Sequence, residues 1–322
     1  MVGLKRKLFF LLIGLLLLFA YGCSGEAKKK DTKDEEKDKV VRIGYQKNCP
    51  FVIVKGLGKL DERLDELGYK LEWKEFQAGP ALVEALNAGS IDVGRTGNSP
   101  VIFAQAAGTP FVTLGAGKPK FYGSGILVPN DSNITSIQDL KGKTVSFAKG
   151  SSSHYLLIKA LQNAGLQYSD ITPAYLSPGD ARVAFEQGDV DAMVVWDPYT
   201  ASTELHANAT LLTSGEGLST DRDFFIATEA FAKKHDNIAK IIMEEVEKSS
   251  LWANENHAEL VEMLAPILNL DEDSVTKAVE RREYGVDKIG EEIIQEQQDI
   301  ANIFYELDII PKAVNVSDVM RK

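Results

Sequence analysis

From residue 40 onward, short β-rich runs alternate with amphipathic segments of helical length. We predict strands over residues 40–45, 69–76, 92–97, 111–117, 144–150, 171–176 and 192–198. Strands separated by helices in this way are typical of a mostly parallel sheet that carries helices on its faces. The pattern therefore predicts an α/β fold.

The second half of the chain changes to a helical pattern. After Phe224, apolar positions recur at helical spacing over residues 238–253 and 289–307. The roughly 280 residues that follow the N-terminal segment exceed what one hydrophobic core usually holds. We expect two lobes, each a mostly parallel sheet flanked by helices, with extra helices at the C-terminus. The predicted boundaries are 40–128 and 223–322 for lobe I and 129–222 for lobe II, with crossover strands at 123–129 and 223–228.

The first 39 residues have the pattern of an export signal followed by a tether. Basic residues precede an apolar run that ends at Tyr21, and Cys23 follows almost at once. That run, about 14 residues, is shorter than the roughly 20 that a spanning helix needs. We predict a signal peptide over residues 1–22, lipidation at Cys23, and a charged linker over residues 23–39. The protein is then expected on the extracytoplasmic face of the cell membrane, held there by lipid alone.

Charge and cysteine content exclude several classes of function. The formal net charge is −11, and no basic stripe is available for nucleic acid. The chain has two cysteines, so with Cys23 lipidated Cys49 has no partner for an intramolecular disulfide. The four histidines are scattered and lack the spacing of metal ligands. We expect no metal and no cofactor.

One candidate binding turn follows the predicted strand at 144–150. Gly150 turns the chain, and Ser151, Ser152 and Ser153 then open a helix. A helix N-terminus, with free N–H groups and its positive dipole end, is a ready site for an anion. Serines also cap helices where no ligand binds. These residues alone leave both interpretations open.

A second candidate turn joins a strand to a helix that has Pro100 in its first turn. Thr96, Gly97 and Asn98 are expected at the rim of a cleft between the lobes. Alternation along the strand sends Arg95 and Thr96 to opposite faces. We expect Thr96 to face the cleft and Arg95 to point away from it.

Further turns open onto the same edge, because ligands of open α/β sheets bind at the carboxyl ends of the strands. Trp196 and Asp197 end an apolar strand, where the indole could pack on an organic tail and the carboxylate could orient donors. A core tryptophan and an N-cap aspartate are the alternatives. Gln46 and Lys47 follow the first strand, and Asp180 lies at a predicted helix start.

Taken in order, these turns resemble a family of binding proteins. The matching segments are IGYQK (43–47), FQAGPALVEALNAGSID (76–92), TGNSPVIFAQAAG (96–108), KGSSSHYLL (149–157), PGDARVAFEQGDVDA (178–192) and WDPY (196–199). They are similar to the aliphatic sulfonate-binding subunits of ABC importers, in the type II periplasmic-binding-protein superfamily. The resemblance extends to residues 304–312 and covers nearly all of the chain after the linker.

The resemblance implies a two-lobed protein that closes on its ligand by a hinge motion, without catalysis. The sulfonate would be held by the turns at residues 96–98 and 151–153. The implied partners are a small organic sulfonate anion, an ABC permease and its ATPase, and the protein would be a monomer. Asn98 stands where the family often has Asp, which disfavours an ammonium-bearing ligand such as taurine.

Several alternatives stay open. The ligand could instead be taurine, nitrate or a pyrimidine precursor, and a receptor could share the ligand without the permease. The enzyme alternative is a cofactor-dependent pyrimidine-precursor synthase of the same fold. The resemblance implies a cofactor lysine and an iron site with cysteine and histidine for that branch. This chain is poor in cysteine and histidine.

Overall fold

Residues 39–321 of the computed structural model are described here, and they form two β-sheets flanked by helices. The predicted signal peptide, Cys23 and most of the predicted linker lie outside the described residues. Among the helices of the described range, none combines the length and the apolar character that crossing a bilayer requires.

The predicted strands are present, with ends that differ by up to three residues. The strands of the described range are β1 (Val40–Tyr45), β2 (Lys70–Glu75), β3 (Val93–Gly97), β4 (Phe111–Gly117), β5 (Ser124–Pro129), β6 (Thr144–Phe147), β7 (Thr172–Tyr175), β8 (Ala192–Trp196), β9 (Ala209–Ser214), β10 (Asp223–Thr228) and β11 (Val286–Asp287). The short strands β9 and β11 were not predicted.

Helices connect the strands, and further helices follow β10, the last long strand. The α-helices of the described range are α1 (Pro50–Leu57), α2 (Lys59–Glu66), α3 (Gly79–Asn87), α4 (Asn98–Ala106), α5 (Ser152–Asn163), α6 (Pro178–Gln187), α7 (Tyr199–His206), α8 (Glu229–Lys234), α9 (Asp236–Glu255), α10 (His257–Leu268), α11 (Glu272–Glu280) and α12 (Glu291–Glu306). The two long helices predicted after Phe224 correspond to α9 and α12.

The first sheet has the strand order β11-β4-β10-β3-β1-β2. β1 pairs in parallel with β2 and with β3. β10 runs antiparallel between β3 and β4, so that its first residue, Asp223, lies opposite Gly97. The strand β10, which comes much later in the sequence than β3, therefore begins beside the carboxyl end of β3.

The second sheet repeats this arrangement, with the order β7-β6-β8-β5-β9. β6 pairs in parallel with β7 and β8, whereas β5 runs antiparallel between β8 and β9. The first residue of β5, Ser124, lies opposite Trp196 at the carboxyl end of β8. In both sheets the inserted strand starts where the parallel strands end, and this edge is the one that open α/β sheets use for ligands.

Two connections carry the chain between the sheets. Residues 118–123 lead from β4 to β5, and residues 215–222 lead back from β9 to β10. The segments expected as crossover strands, 123–129 and 223–228, are almost wholly β5 of the second sheet and β10 of the first. The division into lobes at residues 128 and 222 stays a prediction.

One apolar cluster contains side chains from elements of both sheets. Phe224 of β10 and Phe304 of α12 are buried in it, together with Tyr155 and Ile158 of α5. The ring centroids of Tyr155 and Phe304 lie 6.1 Å apart in an edge-to-face arrangement. Burying such a ring stabilises a fold by roughly 1.5–3 kcal/mol. This cluster therefore fixes α5 close to the first sheet.

Candidate ligand-binding site

A cavity lies between the elements of the two sheets, and the space among its lining atoms, part of it open to solvent, is about 260 Å³. Its lining comes from strand ends, from helix starts and from both connections. The lining residues are Gln46, Gly79, Arg95, Gly97, Pro100, Lys120, Ser151, Ser152, Trp196 and Asp221. Four of the predicted binding turns meet here, and they do so at the carboxyl ends of β1, β3, β6 and β8.

Three helices begin at this cavity. Gly79 is the first residue of α3, Gly97 is the N-cap of α4, and Ser151 is the N-cap of α5. The N-caps of these helices, Ala78, Gly97 and Ser151, make no side-chain capping hydrogen bond with any described residue. A helix leaves its first N–H groups without intrahelical acceptors, and its dipole makes that end positive. Three such ends at one cavity form a strong anion site.

The starts of α4 and α5 lie unusually close together because residue 97 has no side chain. A Cβ built on Gly97 would lie 2.2 Å from the hydroxyl oxygen of Ser152. Any larger residue at this position would collide with that hydroxyl. The glycine thus allows a helix start from each sheet to reach the same small volume.

Buried ion pairs form the floor of the cavity. Arg95 pairs with Asp223 of β10, and Lys120 pairs with Asp221. Lys120 Nζ also lies 3.7 Å from an oxygen of Asp223. Ser124 donates its hydroxyl to Asp221. The positive charges of Arg95 and Lys120 are therefore nearly balanced by the carboxylates of Asp223 and Asp221.

Burial lowers the pKa of both cavity cations, Arg95 and Lys120, but does not neutralise them at neutral pH. It lowers the pKa of Arg95 to about 10 and that of Lys120 to about 8, and the charge of Asp221 opposes both changes. Both side chains therefore remain largely protonated at neutral pH. An anion in the cavity would meet the helix starts and two cations that are already paired with Asp221 and Asp223.

A second cavity, of about 300 Å³, adjoins the first. Arg95, Lys120 and Trp196 line both cavities. The other residues that line the second cavity are Lys47, Asn48, Gly123, Ser124, Asp197, Ala278 and Arg282. Trp196 therefore lies between the first cavity, where helices begin, and the second cavity, which guanidinium and amine groups line.

Asp197 is buried at the second cavity. Its Oδ1 accepts the N–H of Ala201, in the first turn of α7, at 2.9 Å and lies 3.5 Å from Arg281 Nη1. Its Oδ2 is buried without a partner among the described residues. Burial raises the pKa of Asp197 to about 7, although the charge of Arg281 acts in the opposite direction. Pro198 is the N-cap of α7, so the alternative of an N-cap aspartate is wrong, and Asp197 lines the cavity.

The structure brings six of the ten predicted ligand-binding residues to the cavities: Gln46, Gly97, Ser151, Ser152, Trp196 and Asp197. The other four do not line either cavity: Thr96, Asn98, Ser153 and Asp180. Asn98 binds neighbouring residues, since its amide donates to Ser219 Oγ at 3.3 Å and its carbonyl accepts the N–H of Ser99 at 2.7 Å. Asp180 is exposed and exchanges hydrogen bonds with Ser177 at the start of α6.

The expected orientation of Arg95 and Thr96 is wrong. They do point to opposite faces of β3, but Arg95 lines both cavities. Thr96 is fully buried, and a Cβ on Gly79 would lie 2.3 Å from its hydroxyl oxygen. The start of α3 therefore covers the Thr96 face, and the opposite face holds Asp223, the partner of Arg95.

The charged residues of the connections were not predicted from the sequence. Lys120 and Asp221 line the first cavity, and Arg282, whose partner is Asp223, lines the second. A signal was present: GKPKF (117–121) and TDRDF (220–224) place opposite charges at the two points where the chain changes sheets. Charges at a crossover are close in space even when they are far apart in sequence.

The family model described as NMT1/THI5 like matches residues 65–259 of this chain. The chain belongs to the NMT1/THI5-like family. A Bacillus subtilis (strain 168) member, named for aliphatic sulfonate binding, is 33% identical over 98% of this chain and 95% of its own length.

Solved structures extend the comparison of this NMT1/THI5-like protein. The alkanesulfonate-binding protein SsuA of Xanthomonas axonopodis pv. citri, bound to MOPS, is 37% identical with a TM-score of 0.85, over 88% of this chain and 98% of its own. The periplasmic aliphatic sulphonate binding protein SsuA of Escherichia coli is also 37% identical, with a TM-score of 0.80, over 88% of this chain and 92% of its own. The predicted α/β fold with two sheets, that of a periplasmic binding protein, is confirmed.

Proposed function

We propose that this protein is the solute-binding component of an ABC importer and that it captures aliphatic sulfonates between its two sheets. The observation that carries the proposal is the meeting of three helix starts, from α3, α4 and α5, at one cavity. The likeness to sulfonate-binding proteins at 37% identity supports the same ligand class.

The chemistry of a sulfonate suits this cavity. Its three oxygens share one negative charge and accept hydrogen bonds from several directions. Uncapped N–H groups and the hydroxyl of Ser152 supply such donors, and hydrogen bonds to a charged group are about twice as strong as neutral ones. The net charge of the chain, −11, would repel the ligand at long range. Affinity must therefore come from these local donors and from Arg95 and Lys120.

We assign the predicted site residues to different roles. Gly97, Ser151, Ser152 and Gln46 surround the sulfonate group, and Trp196 packs against the organic tail. Thr96, Asn98 and Ser153 support the turns from behind, because they are buried but do not line the cavities. Asp180 shapes the start of α6.

Calorimetry with ethane- to hexanesulfonate tests the ligand class, with sulfate, nitrate and taurine as competitors. We expect micromolar binding of alkanesulfonates, accompanied by a change in tryptophan fluorescence. Trp196→Phe should abolish that change. Trp252→Phe, which alters a side chain packed on the core of the first sheet, should leave it intact. Tighter binding of sulfate or nitrate than of every sulfonate would contradict the proposal.

Binding without turnover is part of the proposal. The ligand should be recovered unchanged after long incubation, as judged by NMR of the released solute. A product that accumulates with time would instead favour an enzyme. The same ligand panel should include a pyrimidine precursor, since that compound represents the alternative branch of the fold.

We further propose that Cys23 is lipidated after removal of residues 1–22 and that the protein delivers its ligand, as a monomer, to a permease and its ATPase. The lipid would hold the protein at the extracytoplasmic face of the membrane. Globomycin, which blocks lipoprotein signal cleavage, should then retain the precursor, and Cys23→Ser should release the protein from membranes. A fully released native protein would contradict the anchor.

A further inference from the structure

The second cavity contains polar atoms that lack partners. Nε of Arg95, Nε of Arg282 and Oδ2 of Asp197 are buried without a hydrogen-bond partner among the described residues. All three side chains line this one cavity. A buried polar atom without a partner costs free energy, so this grouping points to a ligand atom that completes it.

The three unpaired atoms determine which hydrogen bonds a ligand group has to make. Each Nε carries one hydrogen and can only donate, whereas the Asp197 oxygen accepts when ionised and can donate when protonated. The terminal nitrogens of both guanidinium ions each have one partner: Arg95 binds Gln46 and Asp223, and Arg282 binds Asp223 and the carbonyl of Asn48. A single group that both accepts and donates can pair with a guanidinium Nε–H and with the ionised Asp197 oxygen.

We propose that the second cavity binds a hydroxyl group on the tail of the sulfonate, so that the preferred ligands are hydroxyalkanesulfonates. This inference rests on the proposed function, in which the sulfonate group occupies the first cavity. The hydroxyl oxygen accepts from a guanidinium Nε–H, and its hydrogen is donated to Asp197. Trp196, which lines both cavities, covers the short carbon chain between the two ends.

Other tails satisfy these atoms less well. An alkyl end leaves all of them unpaired. An ammonium group could donate to Asp197, but it would meet the cations that line the same cavity, which are Lys47, Arg95, Lys120 and Arg282. A carboxylate accepts but cannot donate, and it would lie beside the Asp197 carboxylate. A neutral hydroxyl avoids all three penalties.

Calorimetry with ligands matched in heavy atoms tests this preference. The first set is propane-1-sulfonate, 2-hydroxyethanesulfonate and taurine, and the second is butane-1-sulfonate, 3-hydroxypropane-1-sulfonate and 3-aminopropane-1-sulfonate. We expect the hydroxyl member to bind at least about tenfold more tightly than its alkyl match in one set or both. Equal or tighter binding of the alkyl or amino members in both sets would overturn the inference.

Two substitutions test the assigned atoms. Asp197→Asn replaces the acceptor by an amide that can donate, and Arg282→Lys keeps the charge but removes the Nε–H. Either should reduce the hydroxyl preference, taken as the ratio of the two affinities on the same variant, to within about threefold. Asp131→Asn, at an exposed position, is the matched control and should keep the full preference. An unchanged preference in both cavity variants would overturn the inference.

The panel separates this inference from the proposed function. If sulfonates of every tail bind equally, the proposed function stands and the hydroxyl subsite is wrong. If no sulfonate binds, both are wrong.

Discussion

Gly97 decides how closely the two sheets approach at the ligand site. Its φ of −84° is open to any residue, so only the missing side chain matters. Gly97→Ala would place a Cβ 2.2 Å from Ser152 Oγ, so either the hydroxyl would have to rotate away from its position at the cavity or the two helix starts would have to separate. We expect sulfonate affinity to fall by about tenfold or more, with thermal stability almost unchanged, in calorimetry and thermal unfolding.

A matched glycine and a second substitution control this prediction. Gly179→Ala, near the start of α6, places a Cβ 3.9 Å from its nearest neighbour, Gln77 Oε1, and should bind normally. In Gly97→Ala combined with Ser152→Ala, the nearest remaining contact is 3.5 Å, so the double variant should bind as well as Ser152→Ala alone. Normal affinity of Gly97→Ala would show that the close approach is dispensable.

At the level of single residues, the local sequence pattern predicted which positions lie at the site better than it predicted which way their side chains point. Alternation along β3 correctly separated Arg95 from Thr96, but it does not say which face is covered. That choice depends on Gly79 and on Asp223, which are 16 residues before and 128 residues after Arg95. The charge partners of Arg95 could not be predicted without the pairing of β10 with β3.

The start of α5 offers a prediction at the level of an element. Although Ser151 is the N-cap, its hydroxyl donates to the carbonyl of Ala148 at 2.7 Å and makes no capping bond. Ser151→Ala with Ser152→Ala should therefore cost little stability. Affinity should fall by roughly tenfold to hundredfold, because hydrogen bonds to a charged ligand contribute about 1.5–3 kcal/mol each. Calorimetry and chemical denaturation measure the two effects separately.

Ser177 provides the opposite case. Its hydroxyl accepts the N–H of Asp180 and caps α6, and it does not line either cavity. Ser177→Ala should lower the free energy of unfolding by about 1 kcal/mol and leave sulfonate affinity unchanged. A serine pair at α5 that behaved like Ser177 would mean that those serines only stabilise the helix.

Most elements were predictable because their signals are local. Residues 40–45 and 111–117 were predicted as strands with the ends that β1 and β4 have, since β-rich runs there are bounded by turn residues. β5 and β10 were recognised as strands, but their assignment as crossovers was inaccurate. Their pairing partners lie far away in the sequence, and only the assembled sheets show that each strand is inserted antiparallel.

At the scale of the whole molecule, the site exists because two sheets present the same edge to each other. Each sheet contributes helix starts, and each connection contributes charges, Lys120 from one and Asp221 from the other. The sequence contains all of these residues, but their meeting depends on long-range topology. The resemblance to a family predicted the class of fold and ligand, whereas the charged floor of the cavity required coordinates.

The buried carboxyl of Asp197 should make the stability of the whole molecule depend on pH. Its pKa is raised by burial to about 7, from an ordinary value of 3.8. Between those values the folded protein holds more protons than the unfolded chain, so stability decreases as pH rises through this window. Below about 3.8 and above about 7, the carboxyl has the same state in both forms and contributes no slope.

Asp197→Asn removes this contribution, because the amide does not titrate. Urea denaturation from pH 4 to pH 8 without ligand should show that the native protein loses stability relative to the variant as pH rises, by at most about 4 kcal/mol. Groups that do not interact electrostatically with Asp197 act equally on both proteins and cancel in the difference. Asp131→Asn, at an exposed position, should instead run parallel to the native protein. Parallel curves for Asp197→Asn would mean that Asp197 stays ionised when buried, held by Arg281, and the assignment of a raised pKa would have to be abandoned.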